Sequence, residues 1–214
     1  MRIAVLIDLQ SDDPAAHDPV ALQVVAALED GGHEAVIVGV WRDIKKLIDD
    51  LNEAKPDLVF NLCESFGDVL FGAVGIVGVL DLLGLRYTGG GPGEFHMQQD
   101  KALTKKLLAF DKIKYPEFAV FSQDSDFETG GNLRMPLFVK PLRQDASIGI
   151  GANALVDNFR DMMKRIIAIH DKINDAALVE EYIDGRELYV GVIVNSMPTA
   201  QPPIEIDFAG FPEG

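Results

Sequence analysis

The chain has one cysteine, Cys63, in 214 residues. It cannot form an internal disulfide, which excludes a small disulfide-stapled fold and predicts a reducing, cytoplasmic setting. Long apolar runs are also missing. The longest uncharged apolar stretch, Val69 to Leu80, is well short of the about 18 residues a membrane helix needs. The opening MRIAVLIDL reaches an acid too early to serve as a signal-peptide core. Cations are scarce: 19 Lys+Arg stand against 34 Asp+Glu, a net charge of −15. That charge repels phosphate backbones and anionic membranes, so neither is an expected partner. Known motifs are absent too. No G-x-x-x-x-G-K-[ST] loop occurs, and no G-x-G-x-x-G follows the first strand. His17, His33, His96 and His170 lack zinc-ligand spacing.

What remains is a chain that can bury a core, with 48% hydrophobic and 25% charged residues. The first half alternates strand and helix. Ile3–Ile7, Ala35–Val38 and Leu58–Leu62 have strand character, and Val20–Glu29, Ile44–Glu53 and Leu70–Leu83 have helical spacing. The order βαβαβα predicts an α/β domain with a parallel sheet covered on both faces. The third helix is apolar nearly all round, and Gly72, Gly75 and Gly78 would permit close packing against a neighbour. After Tyr87 the texture changes: GGGPGEF, Gly89–Phe95, reads as a flexible connector. A helix over Lys101–Phe110 follows, in a segment holding Lys101, Lys105, Lys106, Lys112 and Lys114, five of the 19 cationic side chains. Strands near Phe118–Phe121, Leu137–Lys140, Ala152–Val156 and Leu178–Tyr182, with a helix over Phe159–Asp171, predict a small α+β domain. A long strand, Leu188–Val194, then opens a third element. The expected domains are 1–92, 93–183 and 184–214.

Three segments could carry chemistry. In VKPLRQDASIGIG, a strand delivers Lys140 to its end and a loop with Ser147, Gly149 and Gly151 follows. Such a loop can lay N–H groups and a hydroxyl against phosphate oxygens beside a lysine's charge, although an ordinary hairpin would look similar. In LVEEYIDGRELYVGV, Glu180 and Glu181 end a strand and Glu187 returns beyond an Asp184-Gly185 turn. Carboxylates there could accept hydrogen bonds from an amino group or hydroxyls of a ligand, or simply be solvated. In QQDKALTKKLL, Asp100 caps a helix and Lys101 lies in its first turn, a cation near an anion site or a solvated one. Cys63 has no histidine arranged to activate it and reads as a buried structural thiol.

Together "DK" before a helix, "VKP…S-x-G-x-G" on a strand–loop and "VEEYIDGREL" resemble the ATP-grasp superfamily, especially its D-alanine–D-alanine ligase-like branch. PDLVFNLCESFGD and VGVLDLLGLRYTGGGP resemble that branch's first domain. The resemblance implies a pre-ATP-grasp, Rossmann-like N-terminal domain followed by an α+β ATP-grasp domain. Lys101 and Lys140 would contact ATP phosphates, and Ser147 with the Gly149–Gly151 backbone would close over them. Glu180 would reach the adenine amino group, Glu181, Tyr182 and Ile183 would form the hinge beside adenine, and Glu187 would bind the ribose. Such enzymes transfer the γ-phosphate to a carboxylate, and an amine attacks the acyl phosphate to form an amide. Catalysis there rests on positioning and charge stabilisation.

The sequence also departs from the branch. Asp8-Leu9-Gln10-Ser11-Asp12-Asp13 stands where a Gly-Gly-x-Ser-x-Glu-type motif is expected, Glu64 replaces a histidine, and Ala146-Ser147 replaces two serines. The substrates are therefore expected to be a small carboxylate and an amine of amino-acid or peptide type, with Glu64 facing them, but not necessarily D-alanine. A homodimer is one assembly the resemblance allows. The branch's Mg²⁺ ligands, an acid and a Glu-x-Asn pair, would lie beyond Gly214; Glu205 and Asp207 lack that context. The expectation is thus a C-terminally truncated chain, inactive alone. A non-catalytic nucleotide-binding or interaction module is the alternative.

Overall fold

A computed structural model describes residues 1–11, 18–123, 133–145, 148–151, 153–195 and 197–207. The chain is a mixed α/β fold in two compact units, Met1–Asp100 and Lys101–Gly214. Among the described residues no helix is long and apolar enough to cross a membrane.

The first unit is built on three parallel strands: β1 (Arg2–Asp8), β2 (Glu34–Val40) and β3 (Leu58–Asn61). Their order is β2-β1-β3, with Ile3 facing Ala35 on one side and Leu58 on the other. Helix α1 (Pro19–Asp30) starts where the Asp18 carboxylate accepts from the Val20 amide at 2.7 Å, with Pro19 in the first turn. Helix α2 (Ile44–Ala54) is capped by Asp43 and buries Leu47, Leu51 and Ala54 as one stripe. Each such leucine contributes about 1.5–3 kcal/mol relative to exposure. On α2's outer face Lys45 pairs with Asp49, and Lys46 with Asp50, at i,i+4 spacing. Two cores result: Ala4, Leu6, Val38, Leu47, Leu51, Ile76 and Leu80 on one face of the sheet, and Val5, Ile7 and Ala21 on the other.

Helix α3 (Gly72–Leu82) differs from expectation in its glycines. A Cβ on Gly72 would lie 2.7 Å from Phe66 Cβ, so that glycine is required, whereas one on Gly75 or Gly78 would meet nothing within 4 Å. The helix buries one side only, through Ala73, Ile76, Val77 and Leu80. The expected flexible connector is also partly wrong. Gly91 and Pro92 open a helix, α4 (Pro92–Gln99), because proline at the first turn gives up an amide that would lack a partner anyway.

The second unit begins with α5 (Lys101–Phe110), followed by β4 (Phe118–Phe121), β5 (Leu137–Pro141), β6 (Leu155–Val156), α6 (Phe159–Ile173) and β7 (Ala177–Glu181). The sheet order is β4-β7-β5-β6, all antiparallel. Alternation along β5 decides its faces. Leu137 and Val139 join Ala177, Val179 and α6's Met162, Ile166 and Ile169 in one core, leaving Phe138 and Lys140 on the other face. Ala102, Phe118, Val120, Leu142 and Leu178 form the core on that side. Asn158 caps α6 by accepting from the Asp161 amide at 3.0 Å.

Two further expectations are corrected. Leu188–Val194 is not one strand: β8 (Leu188–Tyr189) and β9 (Val192–Val194) are separate, and pair with β11 (Ile204–Glu205) and β10 (Pro198–Ala200) respectively. Nor do β7 and β8 form a hairpin across Asp184-Gly185. Both edges of β7 are already taken by β4 and β5, so β8 finds its partner elsewhere.

Candidate functional site

The best-defined polar cluster of the second unit lies on the face of β5 and β7 away from α6. Glu180 opposes Phe138 across the ladder, and Lys140 opposes Leu178, so Lys140 and Glu180 are diagonal neighbours on one face. The Glu180 side chain is 9% exposed and paired twice: Lys140 meets its Oε1, and Lys105 Nζ lies 2.8 Å from its Oε2. Lys105 comes from α5, three residues after buried Ala102 and four after Lys101, spacings that put these side chains on one helical face. Its ammonium sits 5.8 Å from the Phe118 ring centroid, and that of Lys140 lies 5.8 Å from the Phe138 centroid. Two cations and one carboxylate are thereby held together on one face of the β5–β7 ladder.

Lys101 has a different setting. Its Nζ donates to the carbonyls of Gln144 at 2.6 Å and Leu142 at 3.3 Å, and lies 3.4 Å from Asp145 Oδ1. It therefore clamps the chain leaving β5. Asp175, buried to 6% exposure, secures the same segment from the other side. It accepts from the Arg143 amide at 2.7 Å, Arg143 Nη1 at 3.2 Å and the Ala176 amide at 2.8 Å.

Of the predicted loop, Ser147 lies outside the described residues. Gly149 has φ +72°, and a Cβ there would be 2.2 Å from Ile173 Cδ1 and 3.0 Å from Pro141 Cγ. A side chain at this position would be strained by the positive φ and would have to displace the end of Ile173 on α6. Arg165 of α6 donates to the Gly149 carbonyl through Nη2 and to the Val139 carbonyl through Nε at 3.4 Å. Partial burial lowers the pKa of its guanidinium. Gly151 is exposed, and its nearest added contact, Asn153 Oδ1, would be at 3.7 Å.

The remaining predicted residues are more dispersed. Glu181 donates its amide to the Glu117 carbonyl at 3.0 Å and Tyr182 donates to that of Pro136 at 3.2 Å, so the chain past β7 is still tied to its neighbours. Tyr182 and Ile183 are exposed. Glu187 is exposed and its carbonyl accepts from the Ile206 amide at 3.0 Å, in the β8–β11 pair. Since β8 does not pair with β7, the ladder does not tie Glu187 to Glu180.

In the first unit, Glu64 follows β3 at the carboxyl end of the sheet and is exposed. Its amide donates to Asp8 Oδ1 at 2.9 Å, and Ser65 Oγ donates to Asp8 Oδ2 at 2.6 Å. Asp8 ends β1, the central strand from which the order β2-β1-β3 departs in both directions, where open parallel sheets form a crevice. Cys63 beside it is buried, and burial first, then the Asp8 charge, push its thiol up to about 12. Its Sγ donates to the Ser65 carbonyl at 3.1 Å, a structural contact.

Sequence reasoning named Lys105 only within a cluster of five lysines and Asp8 only within a departing motif, and gave Arg165 and Asp175 no role. The signal for Lys105 was available in its i,i+4 spacing from Lys101. Nothing local marks the roles of the other three, whose long-range partners Gly149, Arg143 and Ser65 lie 16 to 57 residues away. Among the described residues no group of three or more His, Cys, Asp or Glu is placed to hold a metal. They do not fit a Mg²⁺ site.

Comparison with known proteins matches the family described as D-ala D-ala ligase C-terminus over residues 106–211. The D-alanine–D-alanine ligase of Desulforudis audaxviator is 33% identical over 190 residues, covering 86% of this chain and 58% of that protein. The uncharacterized protein y4sG of Sinorhizobium fredii is 30% identical over 204 residues, covering 92% and 59%. The chain thus spans about three fifths of the length of these curated relatives. The crystal structure of the Bacillus anthracis D-alanine–D-alanine ligase complexed with ATP aligns with a TM-score of 0.72 at 21% identity, covering 98% of this chain and 67% of that one, a likeness of fold. On its motifs, family match and relatives, the chain belongs to the D-alanine–D-alanine ligase-like branch of the ATP-grasp superfamily.

Proposed function

We propose that the second unit is the nucleotide-holding part of an ATP-dependent carboxylate–amine ligase. The observation that carries this reading is Glu180, buried between Lys140 and Lys105 on one face of the β5–β7 ladder. Ammonium groups suit phosphate oxygens, and a buried carboxylate suits the amino group of adenine. In this reading Lys140 turns from Glu180 to the phosphates. Lys101 exchanges Asp145, its longest contact at 3.4 Å, for a phosphate oxygen and keeps the Gln144 carbonyl. The Gly149–Gly151 backbone, anchored by Arg165, covers the phosphates with Ser147. Glu181, Tyr182 and Ile183 line the base, and Glu187 takes the ribose.

The first unit is the branch's pre-ATP-grasp domain in this reading, with Glu64 facing a small amino-acid or peptide-like substrate. A substrate carboxylate accepts the γ-phosphoryl group of ATP, ADP leaves, and an amine displaces phosphate to give the amide. Mg²⁺, the usual charge neutraliser of this chemistry, finds no ligand cluster among the described residues. We assign the nucleotide grip to the described residues of the second unit. The alternative reading is a nucleotide-binding module without catalysis.

Calorimetry with ATP, and phosphate release from MgATP with mixed amino acids, separate the readings. The ligase reading expects ATP binding weakened at least ten-fold by Lys140→Ala, and amino-acid-dependent phosphate release by a form carrying a metal site. Binding without release in any form favours the module, and no ATP binding overturns both.

A further inference from the structure

We infer that Lys105 is the positioning residue for the base end of this site: it holds Glu180 in place when Lys140 turns to phosphate. The inference rests on the nucleotide reading above and adds a residue to it.

Glu180 and Asp175 are the buried charged residues among those described. A buried carboxylate left without a cation is costly, because its lost hydration has no replacement. Glu180 meets that cost with two lysines, one on each oxygen. The two lysines are not equivalent. Lys140 lies on the strand leading into the loop of Gly149 and Gly151, and its side chain is 21% exposed, able to turn toward a ligand. Lys105 is 11% exposed, stands against Phe118, and projects from a helix whose Ala102 is packed in the core beneath it. If both lysines left for phosphate, Glu180 would be stranded. If only Lys140 leaves, the Lys105 contact at 2.8 Å keeps the carboxylate neutralised and aimed.

The arrangement also links the two ends of the nucleotide. Without Lys105, Glu180 has one remaining cation, Lys140, and keeps it from the phosphates. A carboxylate so held offers acceptors only, which suits an amino group and rejects a carbonyl oxygen at the same position of the base. Lys105 thus governs base discrimination without touching the nucleotide.

The test compares affinities for ATP and for ITP, which carries a carbonyl oxygen where ATP has its amino group. Wild type is expected to favour ATP. K105M, which keeps most of the aliphatic stem, should reduce the ATP-to-ITP ratio about ten-fold, and K105R should restore it. In an E180Q background K105M should leave the ratio unchanged. If K105M loses its cooperative melt, K105Q is read in the same way. A general structural role would weaken ATP and ITP equally, so an unchanged ratio in folded K105M overturns the inference while leaving the nucleotide reading intact. A wild type that binds neither nucleotide overturns both.

Discussion

The ammonium of Lys101 donates to the backbone carbonyl of Gln144 at 2.6 Å, so the first turn of α5 holds the chain that leaves β5. A carbonyl partner makes this lysine a clamp before it is anything else. Lys101→Ala should therefore speed hydrogen exchange at Leu142 and Arg143, whose amides donate to the Ala176 carbonyl and the Asp175 carboxylate, at least ten-fold. Val139, whose amide donates to the Ala154 carbonyl at 2.8 Å, should be unaffected. Equal protection in the variant would mean that Asp175 alone holds the segment.

Gly149 and Gly151 look alike in the sequence but should respond differently to substitution. Gly149→Ala must place a Cβ at positive φ and within 2.2 Å of Ile173 Cδ1, and should cost about 2–3 kcal/mol. Gly151→Ala meets only an ordinary contact, Asn153 Oδ1 at 3.7 Å, and should stay within about 0.5–1 kcal/mol of the parent. Urea unfolding of the two variants checks the contrast, and equal losses would refute it.

Asp175→Ala removes the acceptor of three hydrogen bonds and strands the Arg143 amide. A loss of about 3–5 kcal/mol is expected in the second unit, with Asp175→Asn recovering part of it. Thermal melts that move by less than a degree or two would show that water replaces the carboxylate.

The alkaline limb of stability should come in part from the first unit. Burial, with the Asp8 charge next, raises Cys63 to about 12; partial burial and then the hydrogen bond to Asp81 raise Tyr87 to about 12. In the unfolded chain these groups titrate near about 8.5 and 10. Folding favours their protonated forms, so this stability is complete below the unfolded pKa values. It falls as pH rises from roughly 8.5 toward 12. Cys63→Ala should flatten the early part of that decline in pH-dependent urea melts. The native thiol should also resist alkylation at pH 8 until denaturant is added. Rapid labelling of the native protein would contradict the assignment.

Much of the fold was legible from local pattern. Helix Lys101–Phe110 and strand Phe118–Phe121 match their expected bounds, and β1, α1 and α2 differ by one or two residues, because periodicity and capping groups act over a few positions. The errors have a common source. Val190-Gly191 interrupts an apolar run that reads as one strand, and the Asp184-Gly185 turn reads as a hairpin although β7 has no free edge. Strand pairing depends on which edges remain open, which local sequence does not encode. The site divided similarly. Lys140 and Glu180 could be named from motif context, while their direct pairing and the third member, Lys105, needed the register of two strands and the approach of a helix.

By itself, then, the sequence determined most of the element types, the parallel sheet of the first half and the α+β character of the second, the net acidic charge with its local lysines, and the family resemblance. All of these follow from composition, short-range periodicity and motif order. Only the tertiary structure decided which glycine is indispensable, which lysine clamps the loop and which two share Glu180. Those outcomes depend on side chains distant along the chain meeting within a few ångströms.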